Sequence, residues 1–217
     1  MSPLPGKRVQ PVPQMPLTEA AKAILDVAEE LAQTRGYNGF SYADIAAKLG
    51  VTKASLHYHF ASKAALGYAL IGRYKEGFGA ALDAIDERSA APPEKLRRYV
   101  ELYDAVMRND RMCLCGMLAA EYSTLPAPMQ KGLKEFFHLN GRWLTAVLEE
   151  GRKTGSLVFS GPAGERAEVL LGALEGAMLV ARSYGDAHRF HVAAQHVLGD
   201  LGAGKKNKPD GKAKLTR

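Results

Sequence analysis

Between Phe40 and Leu66 the chain concentrates residue types that suit one kind of chemistry. Lys48, Lys53 and Lys63 fall within a stretch that contains no acid, and His57, Tyr58 and His59 are interleaved with them. A local cationic run of this kind neutralises phosphates, and small polar side chains beside it can read base edges. Leu56 and Phe60 stand four residues apart, so on a helix they share one face, while Ala54, Ser55 and Tyr58 point roughly the other way. Thr52 and Lys53 sit at the start of that helix, where a recognition helix first meets the major groove. Ser41 opens a preceding helix with Asp44 three residues on, close to a capping box. Lys63 opens a following helix. Both starts are candidates to clamp the phosphate backbone, since helix N-termini attract anions. The candidate nucleic-acid contacts are therefore Ser41, Tyr42, Thr52, Lys53, Ala54, Ser55, His57, Tyr58, His59 and Lys63.

The elements that must position these residues are helices. Apolar residues recur at spacings of three and four along most of the chain, and strand-like alternation is nearly absent. The spacing predicts a first helix over about 17–35, with Leu17, Ala21, Ile24, Ala28 and Leu31 on one inward stripe and Gly36 as its stop. Short helices follow from Ser41 to Leu49 and from Thr52 to Phe60, with Gly50 in the turn between them. A long helix runs from Lys63 to about Arg88. Ser89-Ala-Ala-Pro-Pro93 breaks the pattern. Further helices are expected over 94–109, 114–123, 129–153, 165–184 and 187–201, about nine in all. The expected fold class is all-α, and no internal repeat is present.

The overall charge of +6 does not itself mark a nucleic-acid binder. The last fifteen residues carry +5 and the N-terminal arm carries +2, so residues 17–202 sum to about −1. The cationic case rests on the local patch. The Pro-rich arm 1–16 and the Lys-rich tail 203–217 lack apolar periodicity, and both are expected to be disordered. No secretory signal or membrane-length apolar run is evident, so no membrane partner is expected. Two cysteines separated by one residue do not form a disulfide framework, which favours a cytoplasmic location.

The 40–66 segment resembles the N-terminal domain of the tetracycline-repressor (TetR) family of transcriptional regulators. The matching residues are Phe40-Ser41, Ile45-Ala46, Gly50-Val51-Thr52-Lys53-Ala54-Ser55-Leu56, Tyr58-His59-Phe60, Ser62-Lys63 and Leu66. His57 stands where the family usually has Tyr, and Ala54 replaces a common Gly or Pro. A free histidine titrates near neutrality, so position 57 departs from the family's usual backbone contact or makes it weakly pH-dependent. The resemblance implies a three-helix helix-turn-helix domain over 17–66 and a ligand-binding and dimerisation domain over 67–202. It implies a palindromic operator as partner, a small-molecule effector, a homodimer and no cofactor.

The second half supports that expectation from its own residues. Val169, Leu170, Leu171, Leu174, Met178, Leu179 and Val180 make the eighth helix apolar almost all round, so it must be buried on more than one face. Gly172 and Gly176 with Ala173, Ala177 and Ala181 permit close helix approach. Phe190, Ala193, Ala194, Val197, Leu198 and Leu201 form a stripe on the ninth. These last two helices are expected to pair with those of a second copy rather than only within one subunit. Pocket candidates are the large side chains Tyr103, Met107, Cys113, Met117, Trp143 and Met178, with Tyr122, Glu175 and Arg182 as polar anchors. Glu175 is unusual because a carboxylate in an apolar helix is costly unless paired.

Arg111-Met-Cys-Leu-Cys-Gly-Met-Leu-Ala-Ala-Glu121 is similar to a stretch in a TetR subgroup that includes regulators of electrophile and acrylate-type metabolism. A cysteine at a helix N-terminus feels the positive dipole end, so Cys113 is expected to lean towards thiolate and is a candidate for covalent modification. The alternative is that Cys113 and Cys115 are small buried apolar residues. A reading of another class, an enzyme or a metal-binding protein, finds little support. The chain has no Gly-x-Ser-x-Gly elbow, Gly-rich phosphate loop or His-Glu-x-x-His helix. His188, His191 and His196 are the only metal-like cluster, and solvent-facing histidines account for them more simply.

Overall fold

The computed structural model describes residues 17–202; the arm 1–16 and the tail 203–217, with the disorder expected of them, lie outside the described residues. Nine α-helices, a 3₁₀ turn and no strand make up the described residues: α1 (Glu19–Arg35), α2 (Tyr42–Leu49), α3 (Lys53–His59), α4 (Lys63–Arg88), α5 (Pro92–Met107), α6 (Leu114–Ala120), α7 (Ala127–Thr154), α8 (Ala163–Tyr184) and α9 (His188–Gly199).

Local chemistry sets most of these bounds. Thr18 caps α1 by accepting the Ala21 amide at 3.2 Å, and Gly36 ends it with a φ of 82°. Leu17 therefore precedes the cap and is 42% exposed, so it does not join the inward stripe. Ala21, Ile24, Ala28 and Leu31 do, and Leu25 is buried beside them. Gly50 closes α2 in the left-handed region that glycine tolerates best. Thr52 caps α3 and Ser62 caps α4 through their hydroxyls. Helix α5 starts two residues earlier than expected because Pro92 and Pro93 are suited to a helix's first turn. Helix α6 is shorter than expected, since the chain tightens into a 3₁₀ turn at Tyr122–Thr124 before Pro126.

Helix α4 is the connecting rod, about 39 Å long at the usual helical rise. Its first half buries Leu66, Leu70 and Ile71, and its second half buries Leu82 and Ile85. Gly67 and Gly132 let α4 and α7 come together: a Cβ at Gly67 would stand 2.6 Å from the Met129 sulfur, and one at Gly132 would stand 2.9 Å from Ile71. Helix α8 packs between α7 and α9, and α1 packs on α2, α4 and α6.

The second half is centred on aromatic rings. Phe78 meets Phe136 at 5.1 Å, Tyr99 at 6.1 Å and Tyr103 at 6.3 Å between centroids, and Tyr74 meets Phe136 at 5.6 Å. A buried polar chain runs through them. Tyr103 and Tyr99 hydroxyls are 3.1 Å apart, Tyr99 donates to Asn140 Oδ1 at 2.8 Å, and Asn140 Nδ2 donates to the Phe136 carbonyl at 2.9 Å. Each polar atom in that chain has a partner, so it fixes the α5–α7 register at little desolvation cost.

Candidate nucleic-acid interface and effector site

Helix α3 is held from behind and open in front. Leu56 and Phe60 are buried, while Thr52, Lys53, Ala54, Ser55 and His57 are exposed and Tyr58 is 87% exposed. The Thr52 hydroxyl is already engaged by the Ser55 amide at 3.2 Å. His59 is half-buried, with its ring edge-on to Tyr58 at 5.1 Å. His57 turns back on its own support. Its ring lies 4.7 Å from that of Tyr42, and its Nδ1 is 3.2 Å from the Ala61 carbonyl.

The flanking residues are placed otherwise than the sequence suggests. Tyr42 is buried and donates its hydroxyl to the Phe60 carbonyl at 2.8 Å, so it braces α2 against the end of α3. Ser41 is exposed, but its amide and hydroxyl both donate to Asp44 Oδ2, at 2.8 and 2.6 Å. Those bonds hold the Asp44 carboxyl below the usual carboxylate range. The Lys63 ammonium faces inward. It donates to the Tyr37 carbonyl at 2.5 Å and to the Phe40 carbonyl, and it lies 4.5 and 4.4 Å from the centres of those two rings. Desolvation pulls its pKa below the usual lysine value, with Glu121 and Asp44 opposing. Lys63 thus ties the α1–α2 turn to the start of α4 instead of presenting a free charge to phosphate. Lys48 pairs with Glu30 at 2.5 Å, which leaves Lys53 as the uncommitted cation of the three. 

Among the pocket candidates, Tyr103, Cys113 and Glu175 come together. The Glu175 carboxyl group lies against Gly116 of α6, where any added Cβ would collide with it. Its Oε1 is shut off from solvent and has no hydrogen-bond partner. Burial raises its pKa to about 7, against the neighbouring Cys113 thiol and Tyr103 hydroxyl, which favour the charged form. Met178 is fully buried one helical turn along. Half-buried Trp143 stacks on Tyr99 at 5.4 Å and donates its indole N–H to Asp86 at 2.9 Å. Met117 is half-buried on α6.

Other candidates are elsewhere. Arg182 donates to the Gln33 carbonyl at 3.0 Å and to the Thr34 carbonyl, so it joins α8 to the end of α1. Met107 and Arg182 both line a small surface cleft. Tyr122 lies at the α6–α7 turn, with Lys134 over its ring at 5.7 Å. Cys113 caps α6, yet burial and the nearby Glu175 push its thiol well above the usual range, the reverse of the dipole expectation. Cys115 is buried and shifted the same way. A helix of seven residues has too weak a dipole to overcome full desolvation. His191 pairs with Asp104 at 2.7 Å rather than converging with His188 and His196.

Sequence reasoning missed one residue that matters for the interface. Glu121, at the end of α6, accepts the Tyr37 amide at 2.6 Å and the Asn38 amide at 3.2 Å. The two ends of that contact are 84 residues apart, and no local pattern announces it.

Two outcomes follow. Lys63→Ala removes charge-assisted bonds to two carbonyls and is expected to destabilise the protein by about 2 kcal/mol, read as a lower urea midpoint. An unchanged midpoint with a shallower salt dependence of DNA binding would instead make Lys63 a phosphate contact. Glu175 ionises near 4.5 when unfolded and near 7 when folded. The unfolded chain therefore loses its proton first, and stability falls as pH rises between those values, by about 3 kcal/mol. Glu175→Gln is expected to remove that decline in denaturation curves at pH 5 and pH 8; an identical decline in the variant would show that another group causes it.

Comparison with known proteins agrees with this geometry. A profile described as "Bacterial regulatory proteins, tetR family" matches residues 24–70, and "Tetracyclin repressor-like, C-terminal domain" matches residues 92–197. A TetR-family transcriptional regulator from Agrobacterium tumefaciens superimposes with a TM-score of 0.82 at 35% identity, over 85% of this chain and 98% of that one. The transcriptional regulator AcuR of Cereibacter sphaeroides is 28% identical over 75% of this chain and 76% of its own. The HTH-type transcriptional repressor NemR of Escherichia coli K12 is 25% identical over 80% and 89%. An open helix α3 on a nine-helix frame, with both family profiles matched in order, shows that the chain belongs to the TetR family of DNA-binding transcriptional regulators.

Proposed function

We propose that the chain is a homodimeric cytoplasmic repressor that a small-molecule effector releases from a palindromic operator. The observation that carries the reading is α3, whose back is locked by Leu56 and Phe60 and whose front offers Thr52, Lys53, Ala54, Ser55 and Tyr58 to solvent. In this reading residues 17–66 form the DNA-binding domain and residues 67–202 the regulatory one. Each subunit inserts residues 52–59 into one half-site. Lys53 and Ser55 read bases, and Tyr58 reaches the backbone.

The second copy is expected on the outer face of α8 and α9. Val169, Leu179, Val180 and Val192 are exposed there, and Gly172 and Gly176 have open space where a side chain would be. Contiguous apolar surface beside small residues suits an isologous four-helix contact. The effector acts by binding better to the conformation whose two α3 helices are wrongly spaced for DNA, so its differential affinity sets the extent of release.

Electrophoretic mobility shift with the DNA upstream of the chain's own gene tests the core of this reading. A dimer-sized complex at moderate salt is expected, and absence of binding at micromolar protein overturns it. Lys53→Ala and Ser55→Ala are expected to change base preference within each half-site, at about 1–3 kcal/mol per affected base pair. Equal losses on every sequence would place those side chains on the phosphates.

A further inference from the structure

The effector-released reading leaves open what the effector is, and the surroundings of Glu175 narrow its chemistry. Oε1 of Glu175 is buried without a hydrogen-bond partner, and no Lys, Arg or His contributes to the balance of charges around it. The titratable groups that its charge acts on are Cys113 and Cys115 at the start of α6, Tyr74 of α4, and Tyr99 and Tyr103 of α5. Every one of these is pushed upward by burial, so each is neutral at physiological pH. The α7 contribution to the buried polar chain is the neutral Asn140. Behind them stands the array of Tyr74, Phe78, Tyr99, Tyr103 and Phe136 rings.

An access route reaches the same rings. A cleft of about 420 Å³ between α1, α4 and α5 is walled by Tyr74, Phe78, Leu102 and Val106. Its charged rim consists of Asp26, Glu29 and Arg73, a net of one negative charge, with Arg73 bound to both carboxylates at 2.6 Å. The inner side of Tyr74 already touches the site, its hydroxyl 3.7 Å from the Cys113 sulfur. A ligand entering by this cleft would have to displace the Tyr74 and Phe78 side chains to reach Glu175.

We propose that Glu175 and the rings of Tyr74, Phe78, Tyr99 and Tyr103 form a recognition site for an organic ammonium ion, which is the effector class of this regulator. Aromatic faces attract a desolvated cation, and an interior carboxylate with no protein cation supplies the counter-charge. Once ionised, Glu175 attracts an ammonium and repels a carboxylate, and the hydroxyls of Tyr99 and Tyr103 are already bonded to one another and to Asn140. Glu175 holds its proton in the empty site up to about neutral pH. Binding the cation therefore expels that proton to solvent, one for each ammonium bound.

The test uses the full-length wild-type protein and the emission of Trp143, its only tryptophan, which stacks on Tyr99 at the edge of the site. The probes are benzyltrimethylammonium, its uncharged isostere neopentylbenzene, and 3-phenylpropionate. Saturable quenching by the ammonium is expected, with affinity rising roughly tenfold from pH 6 to pH 8 as the proton becomes easier to displace. The isostere and the carboxylate are expected to bind at least about tenfold more weakly. Glu175→Gln is expected to abolish the preference for charge and the pH slope. Equal or tighter binding of either control, a flat pH profile, or no saturation by the ammonium below about 10 mM overturns the proposal. The wild-type arms decide the matter even if the variant fails to fold. Ammonium binding without any operator binding would overturn the regulator reading and leave this site standing; operator binding with ammonium indifference would do the reverse.

Discussion

The orientation of the reading helix depends on one carboxylate, that of Glu121. It leaves the end of α6 and takes the amides of Tyr37 and Asn38, the first two residues after α1 has ended at Gly36. Those amides have no helical partner, so a charged acceptor is worth more there than a neutral one. Gly36 makes the approach possible: a Cβ on it would lie 2.9 Å from Glu121 Oε1, and its positive φ suits glycine. The Tyr37 carbonyl, on the other side of the same turn, accepts the Lys63 ammonium, which also accepts the company of both aromatic rings. Glu121, the turn and Lys63 are therefore one electrostatic unit. It fixes the start of α4, the helix that follows α3, against the C-terminal end of α6. Tyr42, bonded to the Phe60 carbonyl, closes the remaining side.

A second joint works on the end of α1. The Met112 amide donates to the Gln33 carbonyl at 3.3 Å, and Arg182 donates to the same carbonyl and to that of Thr34. Met112 directly precedes Cys113, which lies against Glu175, and Arg182 is two turns beyond Glu175 on α8. The buried carboxyl group is thus connected to the DNA-binding part by two short routes that share an acceptor. Contiguity alone does not make coupling. It becomes coupling if α6 has two resting positions and an effector at Glu175 favours one of them. The Glu175 carboxyl group lies so close to Gly116 that a displacement of it towards α6 must move that helix.

Much of the frame was legible in the chain itself, because its signals are local. Thr18, Ser41, Thr52 and Ser62 lie at helix starts, and Gly36, Gly50, Gly155 and Gly185 at helix ends, where capping chemistry puts them. The buried back of α3 followed from the four-residue spacing of Leu56 and Phe60. What could not be read was which polar residues are used up by partners far away in sequence. Lys63 is a candidate phosphate clamp by sequence, but its ammonium is taken up by the Tyr37 and Phe40 carbonyls. Arg182, a candidate ligand anchor by sequence, places its guanidinium on carbonyls of the last turn of α1. Cys113 obeyed the dipole argument in position and contradicted it in environment, since full burial outweighs one short helix. The unusual feature that did survive translation into three dimensions is Glu175, because a lone carboxylate in an apolar helix is conspicuous at both levels.

That carboxylate is hard to explain as architecture. It leaves an oxygen without a partner, resists ionisation, and forbids a side chain at Gly116. A methionine or leucine would fill the space between α6 and α8 at lower cost, and a glutamine would avoid the charge entirely. Asn140, another deeply buried polar group of this half, has partners for both ends of its amide. Departures from local stability rules concentrate where binding recovers the cost. The fold around Glu175 is also the part that touches both joints to the DNA-binding helices. An interior carboxyl group with an unpartnered oxygen, set beside the levers that orient α3, has the properties required of a receptor. It is costly when empty, it is stabilised by a ligand of opposite charge, and it is placed where that stabilisation acts on the position of α6.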